Sequence, residues 1–413
     1  MLSMAALAPE SLLPRPAKGL ASLPTYVFAE LDRLKIEAKA KFDALNMPMI
    51  DLGIGSPDAQ TPQPIVDAIA RAAQDPANHR YPNFKGKPEF RQAIVSWMQR
   101  RYGVSLDVET EVLPLIGAKE GLAHLTLAYV EPGTISLVPS PYYPVHGRAT
   151  WIAGGQPYAL PLTLDNHFLP DLDAVPSDIL KQSKLLFLNF PHNPTAAVAD
   201  LPFYEKAVAF CKQHGLLLVS DLAYADIGFD GYKPPSVLQV AGAKDIAIEF
   251  HSFSKSFNMA GWRLGYVVGN AEVIANLYAI KTNMDYGVCN TIQDGGTYAL
   301  NHAESLIPPQ VAMYQARRDI AMAGFQKLGW QTPSPKASMY LWLPIPVWAK
   351  DSWDFVKTLL DQTGVIVSPG SAFGEAGEGY FRISLVANEP VLQSVLARME
   401  NAGIRFDCFQ GGC

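Results

Sequence analysis

A lysine, two serines and an arginine closely follow an apolar run of the sequence. The run spans 246–250, and Ser252, Ser254, Lys255 and Arg263 come after it. A lysine amine can condense with an aldehyde, while hydroxyl groups and a guanidinium can hold a phosphate dianion. These residues therefore suit an aldehyde that carries a phosphate, as pyridoxal phosphate does. The alternative for Lys255 is a solvated side chain on a turn.

A second segment with phosphate-binding character is the glycine turn at Gly117, which leads from an apolar run into a helical pattern over 119–129. Such a turn aims free main-chain amides and a helix dipole at one point, where a phosphate can bind. Combined with the two serines and Arg263, it predicts one shared phosphate pocket. The alternative is an ordinary glycine turn with a helix cap.

A carboxylate and a phenol stand at the end of another apolar run. Asp221 follows 216–219, and Tyr224 comes three residues later. A carboxylate at the buried end of a strand needs a cationic partner, and a protonated pyridine nitrogen would be one. Tyr224 could donate to the phenolate oxygen of the same ring. The alternatives are a helix N-cap for Asp221 and a core aromatic residue for Tyr224.

Three further residues suit the same ligand or its substrate. Asn193, fixed by Pro194, could contact the phenolate oxygen, and Tyr143 could stack on the ring. Arg382 lies inside an apolar run, and its planar fork matches a substrate carboxylate. The alternatives are a structural turn for Asn193, an aromatic corner for Tyr143 and an internal salt bridge for Arg382.

The pattern between residues 50 and 300 predicts alternating strands and helices around a largely parallel sheet. Ligands of such sheets collect at the carboxyl ends of the strands, which is where these motifs lie. The predicted strands are 112–116, 135–138, 185–188, 216–219, 246–250 and 264–268, and the predicted helices among them are 119–129, 202–214 and 271–281.

The remainder of the chain predicts a smaller α+β domain, to which an N-terminal helix at 27–44 is joined. A long helix over 310–328 is expected to lead into it, because Gly329 and two prolines follow. Its predicted strands are 340–343, 365–367 and 380–385, and its predicted helices are 352–363 and 390–401. We therefore divide the chain into an arm and helix (1–50), a large cofactor-binding domain (51–305) and a small domain (306–413).

Composition narrows the classes of partner. A 413-residue chain with 49% hydrophobic residues can bury a large core, and its net charge of -6 disfavours nucleic acid or an anionic membrane as a partner. Small metabolites fit better. The four cysteines form no Cys-x-x-Cys pair and favour a reducing compartment, and the histidines show no metal-binding spacing. With residues 1–23 unlike a signal peptide, we expect a cytoplasmic protein.

Taken in order, these motifs resemble the class I/II aminotransferases of the fold-type-I pyridoxal-phosphate superfamily. The resemblance covers about 23–401 and implies a large domain with a mostly parallel sheet between helices plus a smaller α+β domain. The stretches 116–124, 220–227 and 253–266 are most similar to the alanine and LL-diaminopimelate aminotransferase-like branch. The motifs are 51–58, 81–86, 117–122, 193–194, 221–224, 252–255 with Arg263, and Arg382.

By this resemblance Lys255 forms a Schiff base with the cofactor aldehyde, and Asp221 pairs with the ring nitrogen. Asn193 and Tyr224 contact the phenolate oxygen, and Tyr143 stacks on the ring. The phosphate would be bound by Ala118, Lys119, Ser252, Ser254 and Arg263.

The resemblance also implies substrate contacts and a homodimer with shared sites. Gly55, Asn193 and Arg382 would bind the substrate, and Tyr81 would reach the cofactor phosphate of the neighbouring subunit. There are two departures from the family pattern. Ala118 stands where many relatives have serine, which removes one phosphate hydroxyl, and Tyr143 stands where aspartate aminotransferases often have tryptophan.

The predicted reaction is a ping-pong transfer of an amino group from an amino acid of the alanine or glutamate type to a 2-oxo acid such as 2-oxoglutarate or pyruvate. The alternatives are LL-diaminopimelate aminotransferase, then aspartate aminotransferase or a carbon-sulfur β-lyase. A non-enzymatic cofactor-sensing regulator would need a DNA-binding module, for which the segment before Leu23 has no room. Selectivity is expected to depend on 59–62, 283–290 and the N-terminal arm.

Overall fold

The computed structural model describes residues 18–21, 23 and 27–408. Its helices are α1 (Lys18–Ala21), α2 (Val27–Ala44), α3 (Gln63–Ala72), α4 (Pro88–Tyr102), α5 (Ala118–Tyr129), α6 (Val145–Ile152), α7 (Ser177–Gln182), α8 (Leu201–His214), α9 (Phe253–Ser256), α10 (Ala271–Met284), α11 (Asn290–Asn301), α12 (Ala303–Lys327), α13 (Ser352–Thr363) and α14 (Glu389–Asn401). Its strands are β1 (Ile50–Asp51), β2 (Val112–Leu115), β3 (Ile135–Ser140), β4 (Gln156–Pro161), β5 (Ser183–Leu188), β6 (Leu217–Asp221), β7 (Ala247–Ser252), β8 (Gly265–Gly269), β9 (Tyr340–Pro344), β10 (Val365–Ile366), β11 (Ser368–Pro369) and β12 (Tyr380–Ser384).

A seven-stranded sheet in the order β2-β8-β7-β6-β5-β3-β4 forms the centre of the fold. The neighbours from β4 to β7 pair in parallel, whereas β8 is antiparallel to both β7 and β2. The link between β7 and β8 contains only the four-residue α9. Because a parallel return needs a full crossover, usually a longer helix, this short link gives the antiparallel pairing.

Both faces of this sheet are buried by helices. Successive side chains of β5 point to opposite faces, so Leu185 and Phe187 join one hydrophobic core while Leu186 and Leu188 join the other. Helices α5 and α10 contribute to the first core, and α4 and α8 contribute to the second. Burial on both faces explains why these strands are continuous apolar runs in the sequence.

A separate core joins the N-terminal helix to the C-terminal part of the chain. Strands β11, β12 and β9 form an antiparallel sheet, and β1 pairs in parallel with β10. Leu31 and Phe42 of α2 pack in one cluster with Phe355 of α13 and Phe381 of β12. The predicted fold class, a mostly parallel sheet between helices with a smaller α+β part, is confirmed. The domain boundaries at 50/51 and 305/306 remain a prediction.

Helix α12 and strand β4 are two of the elements that differ from the sequence prediction. Helix α12 begins at Ala303 instead of residue 310, and Pro308 and Pro309 lie inside it. Ala303 is fully buried, and its neighbours Leu306 and Ile307 pack on the core, so packing outweighs the hydrogen bonds that the prolines lose. Strand β4 was not predicted. It is an edge strand with a proline at its end, as edge strands allow.

Of the cysteines that the structure describes, Cys211 and Cys289 have free thiols and Cys408 is disulfide-bonded. One bonded cysteine is not a disulfide framework, but it departs from the set of reduced cysteines that the sequence indicated.

Within 18–21, 23 and 27–408, no helix combines the length and apolar composition that a membrane crossing requires. The expectation about residues 1–23 falls mainly on residues 1–17, which lie outside the described residues.

Candidate active site

A cavity of about 440 Å³ opens where β5, β6 and β7 end and where the C-terminal part of the chain meets the sheet. This volume lies in the range of small-ligand sites, and the place matches the carboxyl ends of parallel strands. The predicted site residues that line it are Gly55, Ala118, Lys119, Tyr143, Asn193, Asp221, Tyr224, Ser252, Ser254, Lys255, Arg263 and Arg382. The structure therefore brings together residues that are far apart in sequence.

Lys255 lies on the short helix α9, which begins directly after β7. The Ser252 hydroxyl caps this helix by accepting a hydrogen bond from the Ser254 amide at 3.2 Å. The Lys255 Nζ atom donates to the Gly55 carbonyl at 2.5 Å. Burial, together with the charges of Arg382 and Arg263, lowers the Lys255 pKa to about 7. A large fraction of this amine is therefore neutral, and hence nucleophilic, near neutral pH.

Asp221 is the last residue of β6 and presents one unsatisfied oxygen. Its Oδ2 accepts from His146 Nε2 at 3.0 Å, while its Oδ1 is buried without a hydrogen-bond partner. The Asn189 side chain donates to the Asp221 main-chain carbonyl at 2.6 Å. Because a turn follows it instead of a helix, Asp221 is not an N-cap. A buried acceptor of this kind fits a cationic donor on a ligand.

The first turn of α5 and the segment just before β8 face each other at one end of the cavity. Gly117, with a φ of +83°, precedes α5, and a Cβ atom there would lie 2.6 Å from Arg263 Nη2. Glycine thus lets the guanidinium approach the turn. Arg263 Nη1 donates to the Ala260 carbonyl at 2.9 Å. Burial, with the charges of Arg148 and Arg263, lowers the Lys119 pKa. Main-chain amides and two cations therefore meet here.

Arg382 projects from β12 into the cavity and is 3% exposed. Its Nη1 donates to Asn193 Oδ1 at 2.9 Å, and its Nη2 donates to the Gly53 carbonyl at 2.5 Å. The guanidinium also lies 4.3 Å from the ring centre of Tyr340 and 4.6 Å from that of Phe373. These partners are all neutral. Among the described residues, Arg382 therefore does not form the internal salt bridge that was the alternative in the sequence analysis. The charge is left for an anionic ligand.

Asn193 joins Arg382 to a pair of tyrosines. Its Nδ2 donates to the Tyr224 hydroxyl at 3.2 Å, and that hydroxyl lies 2.8 Å from the Tyr340 hydroxyl. Burial, along with Tyr340, raises the Tyr224 pKa well above its usual value. Tyr224 is thus a protonated donor and not only a core aromatic residue. Tyr224 also packs in a core, as the alternative predicted, because it belongs to the separate core that joins α2 to the C-terminal part of the chain.

Several residues of the site were not identified from the sequence. His146 contacts Asp221, Asn189 supports both Asp221 and Asn193, and Tyr340 contacts Tyr224 and Arg382. Asn189 had a signal, because it opens the Asn-Pro turn after β5. The sequence gives no such signal for His146 or Tyr340, because their partners lie 75 and 116 residues away in the chain.

Tyr81 is the one predicted site residue that does not line this cavity. It is 79% exposed and stacks on Tyr286 at 4.4 Å between ring centres. Its own chain therefore does not use it at this site.

One group of potential metal ligands exists within the described part of the chain. Glu120, His124 and Asp285 lie close together. However, the buried Lys281 ammonium is 2.9 Å from Glu120 Oε1 and 3.0 Å from Asp285 Oδ2, so these carboxylates already have a cationic partner.

Comparison with known proteins matches residues 47–398 to the family model "Aminotransferase class I and II". The chain is 48% identical to LL-diaminopimelate aminotransferase 2 of Trichormus variabilis, over 94% of this chain and 99% of that protein. It is 46% identical to LL-diaminopimelate aminotransferase of Gloeobacter violaceus, over 95% and 100%. Among solved structures, apo-BacF from Bacillus subtilis superposes with a TM-score of 0.90 at 35% identity, over 96% of this chain and 100% of that one. The chain thus belongs to the class I and II aminotransferases and is a pyridoxal-phosphate-dependent transaminase.

Proposed function

We propose that the cavity holds pyridoxal phosphate through the residues predicted from the sequence. The unsatisfied Asp221 Oδ1 fits the protonated ring nitrogen, and Lys255 Nζ, with its pKa lowered to about 7, fits the aldehyde as a nucleophile. Asn193 and Tyr224 would contact the phenolate oxygen, and Tyr143 would stack on the ring. The phosphate would be bound by Ala118, Lys119, Ser252, Ser254 and Arg263. The observation that supports this most strongly is the buried, unpartnered carboxylate oxygen at the end of β6.

The protein's own groups then have distinct tasks. When bound, the cofactor supplies a cationic ring that withdraws electrons from the substrate α-carbon. Asp221 maintains that charge from its buried place, with His146 fixing the orientation of the carboxylate. Lys255 Nζ accepts the α-proton and delivers it again, a task that suits a base with a pKa of about 7.

Arg382 would bind the substrate α-carboxylate. Its present partners, Asn193 Oδ1 and the Gly53 carbonyl, fix the plane of the guanidinium. Gly55 would leave room for the substrate beside it, because a Cβ atom at Gly55 would lie 2.2 Å from the Tyr340 hydroxyl oxygen. The family resemblance and this geometry together support the role of both residues.

For the substrates, we infer LL-diaminopimelate as amino donor and a 2-oxo acid such as 2-oxoglutarate as acceptor. The support is that relatives between 42% and 48% identical bear the name LL-diaminopimelate aminotransferase. Amino exchange of the alanine or glutamate type is the second candidate, and it agrees with the same family. Aspartate exchange and β-lyase chemistry use the same cofactor residues and are distinguished by product.

A half-reaction screen tests this assignment. The purified enzyme with its cofactor is mixed with one amino acid at a time, and the cofactor absorbance is followed. Rapid conversion by LL-diaminopimelate, with slow conversion by alanine, glutamate and aspartate, is the expected result. Rapid conversion by alanine or glutamate alone would favour the second candidate. Release of pyruvate, ammonia and a thiol from a thioether substrate would indicate the lyase instead.

We also infer a homodimer in which Tyr81 reaches the cofactor phosphate of the neighbouring subunit. Its exposure outside its own cavity agrees with such a role. Co-expression of a Lys255→Ala chain with a Tyr81→Ala chain tests this. Mixed dimers would contain one intact shared site and regain activity that neither variant has alone, whereas independent sites would regain none. A cytoplasmic location stays a prediction.

A further inference from the structure

Part of the cavity wall is not used by Arg382 or by the residues proposed to bind the cofactor. Beside Gly55, the cavity is lined by Asp32 of α2 and by Ile54 and Ser56 of the loop after β1. Ile54 is 44% exposed, so the cavity meets solvent on this side. With the α-carboxylate on Arg382 and the reacting carbon near Lys255, this wall is one of the surfaces that the substrate side chain can contact.

Asp32 differs in charge from most of the cavity. The other charged residues that line it are the cations Lys119, Lys255, Arg263 and Arg382, together with Asp221 at the end of β6. Asp221 has His146 and, in the proposed function, the cofactor ring as partners. Asp32 is therefore the acidic group available to a substrate side chain at the open end. A carboxylate among cations attracts a positively charged group of a ligand.

Asp32 belongs to a group of three charged side chains whose net charge is negative. Lys35 Nζ lies 2.9 Å from Asp32 Oδ1 and 2.7 Å from Asp51 Oδ2. Although partial burial opposes it, hydrogen bonding to Asp51 and Asp32 raises the Lys35 pKa. One ammonium thus serves two carboxylates, which leaves a net charge of about -1 for a further cation.

The same network connects Asp32 to the proposed carboxylate site. Asp51 Oδ1 accepts from the Gly53 amide at 2.8 Å, and the Gly53 carbonyl accepts from Arg382 Nη2. These contacts form a continuous series that connects α2 to β12 through the loop after β1. A substrate bound by Arg382 at one end would therefore face the part of the cavity wall that carries Asp32.

We propose that Asp32 determines specificity by binding the distal ammonium group of a substrate that has a second amine on its side chain. This inference rests on the proposed function and refines it, because LL-diaminopimelate has such an amine whereas alanine, glutamate and aspartate do not. It also gives the N-terminal helix a task in substrate selection.

The test compares two donors that differ only in that amine. Single-turnover kcat/KM is measured for LL-diaminopimelate and for L-2-aminopimelate, with the wild-type enzyme and with Asp32→Asn. Because Asp32 is largely exposed, we expect the variant to lose about tenfold with LL-diaminopimelate and less than about twofold with L-2-aminopimelate. Asp32→Glu should restore most of the preference. Asp43→Asn is the matched control, since it removes the same charge from the same helix at an exposed ion pair with Lys39.

The outcomes separate this inference from the proposed function. An unchanged ratio of the two donors in Asp32→Asn, or equal losses with both, overturns the role of Asp32 while the function stands. L-lysine and L-norleucine provide a second such pair. If the wild type ignores LL-diaminopimelate but prefers L-lysine over L-norleucine, and Asp32→Asn abolishes that preference, the function fails and the inference holds. A wild-type enzyme that converts LL-diaminopimelate but has no preference for a distal amine in either pair overturns the role of Asp32 while the function stands.

Discussion

The amine of Lys255 should titrate near neutrality even before the cofactor is bound. Burial is the main cause of the lowered pKa of about 7, and the positive charges of Arg382 and Arg263 add to it. At pH 7 about half of such amines are neutral, whereas an ordinary lysine amine with a pKa near 10.4 is neutral in only about 0.04% of molecules. The neutral fraction is therefore larger by roughly three orders of magnitude.

Competitive labelling measures this pKa directly. The apoenzyme is exposed to trace acetic anhydride between pH 5 and 11, and acetylation of the Lys255 peptide is compared with that of a model peptide lysine. We expect the Lys255 rate to level off above about pH 7, while the model lysine continues to gain rate up to about pH 10. The position of the plateau, and not the absolute rate, is the result, because access to the cavity also affects the rate.

A charge variant tests the cause. In Arg382→Met the midpoint of Lys255 labelling should rise, because one of the two repelling cations is gone, but it should stay below the ordinary lysine value because burial remains. Arg100→Met, which removes an exposed arginine that pairs with Glu304, is the control and should leave the midpoint in place. Continued growth of the wild-type Lys255 rate from pH 8 to pH 10 would refute the argument.

Three further predictions concern the cofactor and substrate contacts. Asp221→Asn should weaken cofactor binding by more than about 100-fold, because losing one partner of a buried charge pair costs about 3–5 kcal/mol; equilibrium titration with the cofactor measures it. Gly55→Ala should raise KM for the amino donor, because its Cβ atom would lie 2.2 Å from the Tyr340 hydroxyl, whereas Gly261→Ala places a Cβ atom in open space and should not. Arg382→Lys should raise KM about tenfold or more with a smaller effect on cofactor affinity, since the bidentate fork is lost; steady-state kinetics and cofactor titration separate the two effects.

The sequence was most informative where a functional residue directly follows an apolar strand. Asp221 ends β6, Lys255 follows β7 and Asn193 follows β5, so strand prediction and ligand prediction supported each other. Parallel strands place their carboxyl ends at one edge, which is why separate motifs could be assigned to one cavity without coordinates. The apolar runs themselves were recognisable because both faces of the sheet are buried.

Residues that act through long-range packing could not be found in this way. Nothing beside His146 in the chain indicates that it contacts a carboxylate 75 residues away, and Tyr340 meets Tyr224 across 116 residues. The direction of β8 likewise depends on a chain return that periodicity does not encode. The early start of α12 reflects burial of Ala303, which outweighs the local effect of two prolines.

In the proposed site, the residues that act on the cofactor and the residues that select the substrate come from two different parts of the fold. Asp221 ends β6 and Lys255 stands on α9 directly after β7, so both side chains reach the cavity from the sheet side. Arg382 and Asp32 come from the C-terminal part and from the helix α2 that packs on it. Because Asn193 accepts a hydrogen bond from Arg382 on the sheet side, the proposed carboxylate contact is linked to the proposed cofactor site. A change of substrate in this architecture therefore requires changes at α2 and the loop after β1, while the reacting groups on the sheet can stay the same.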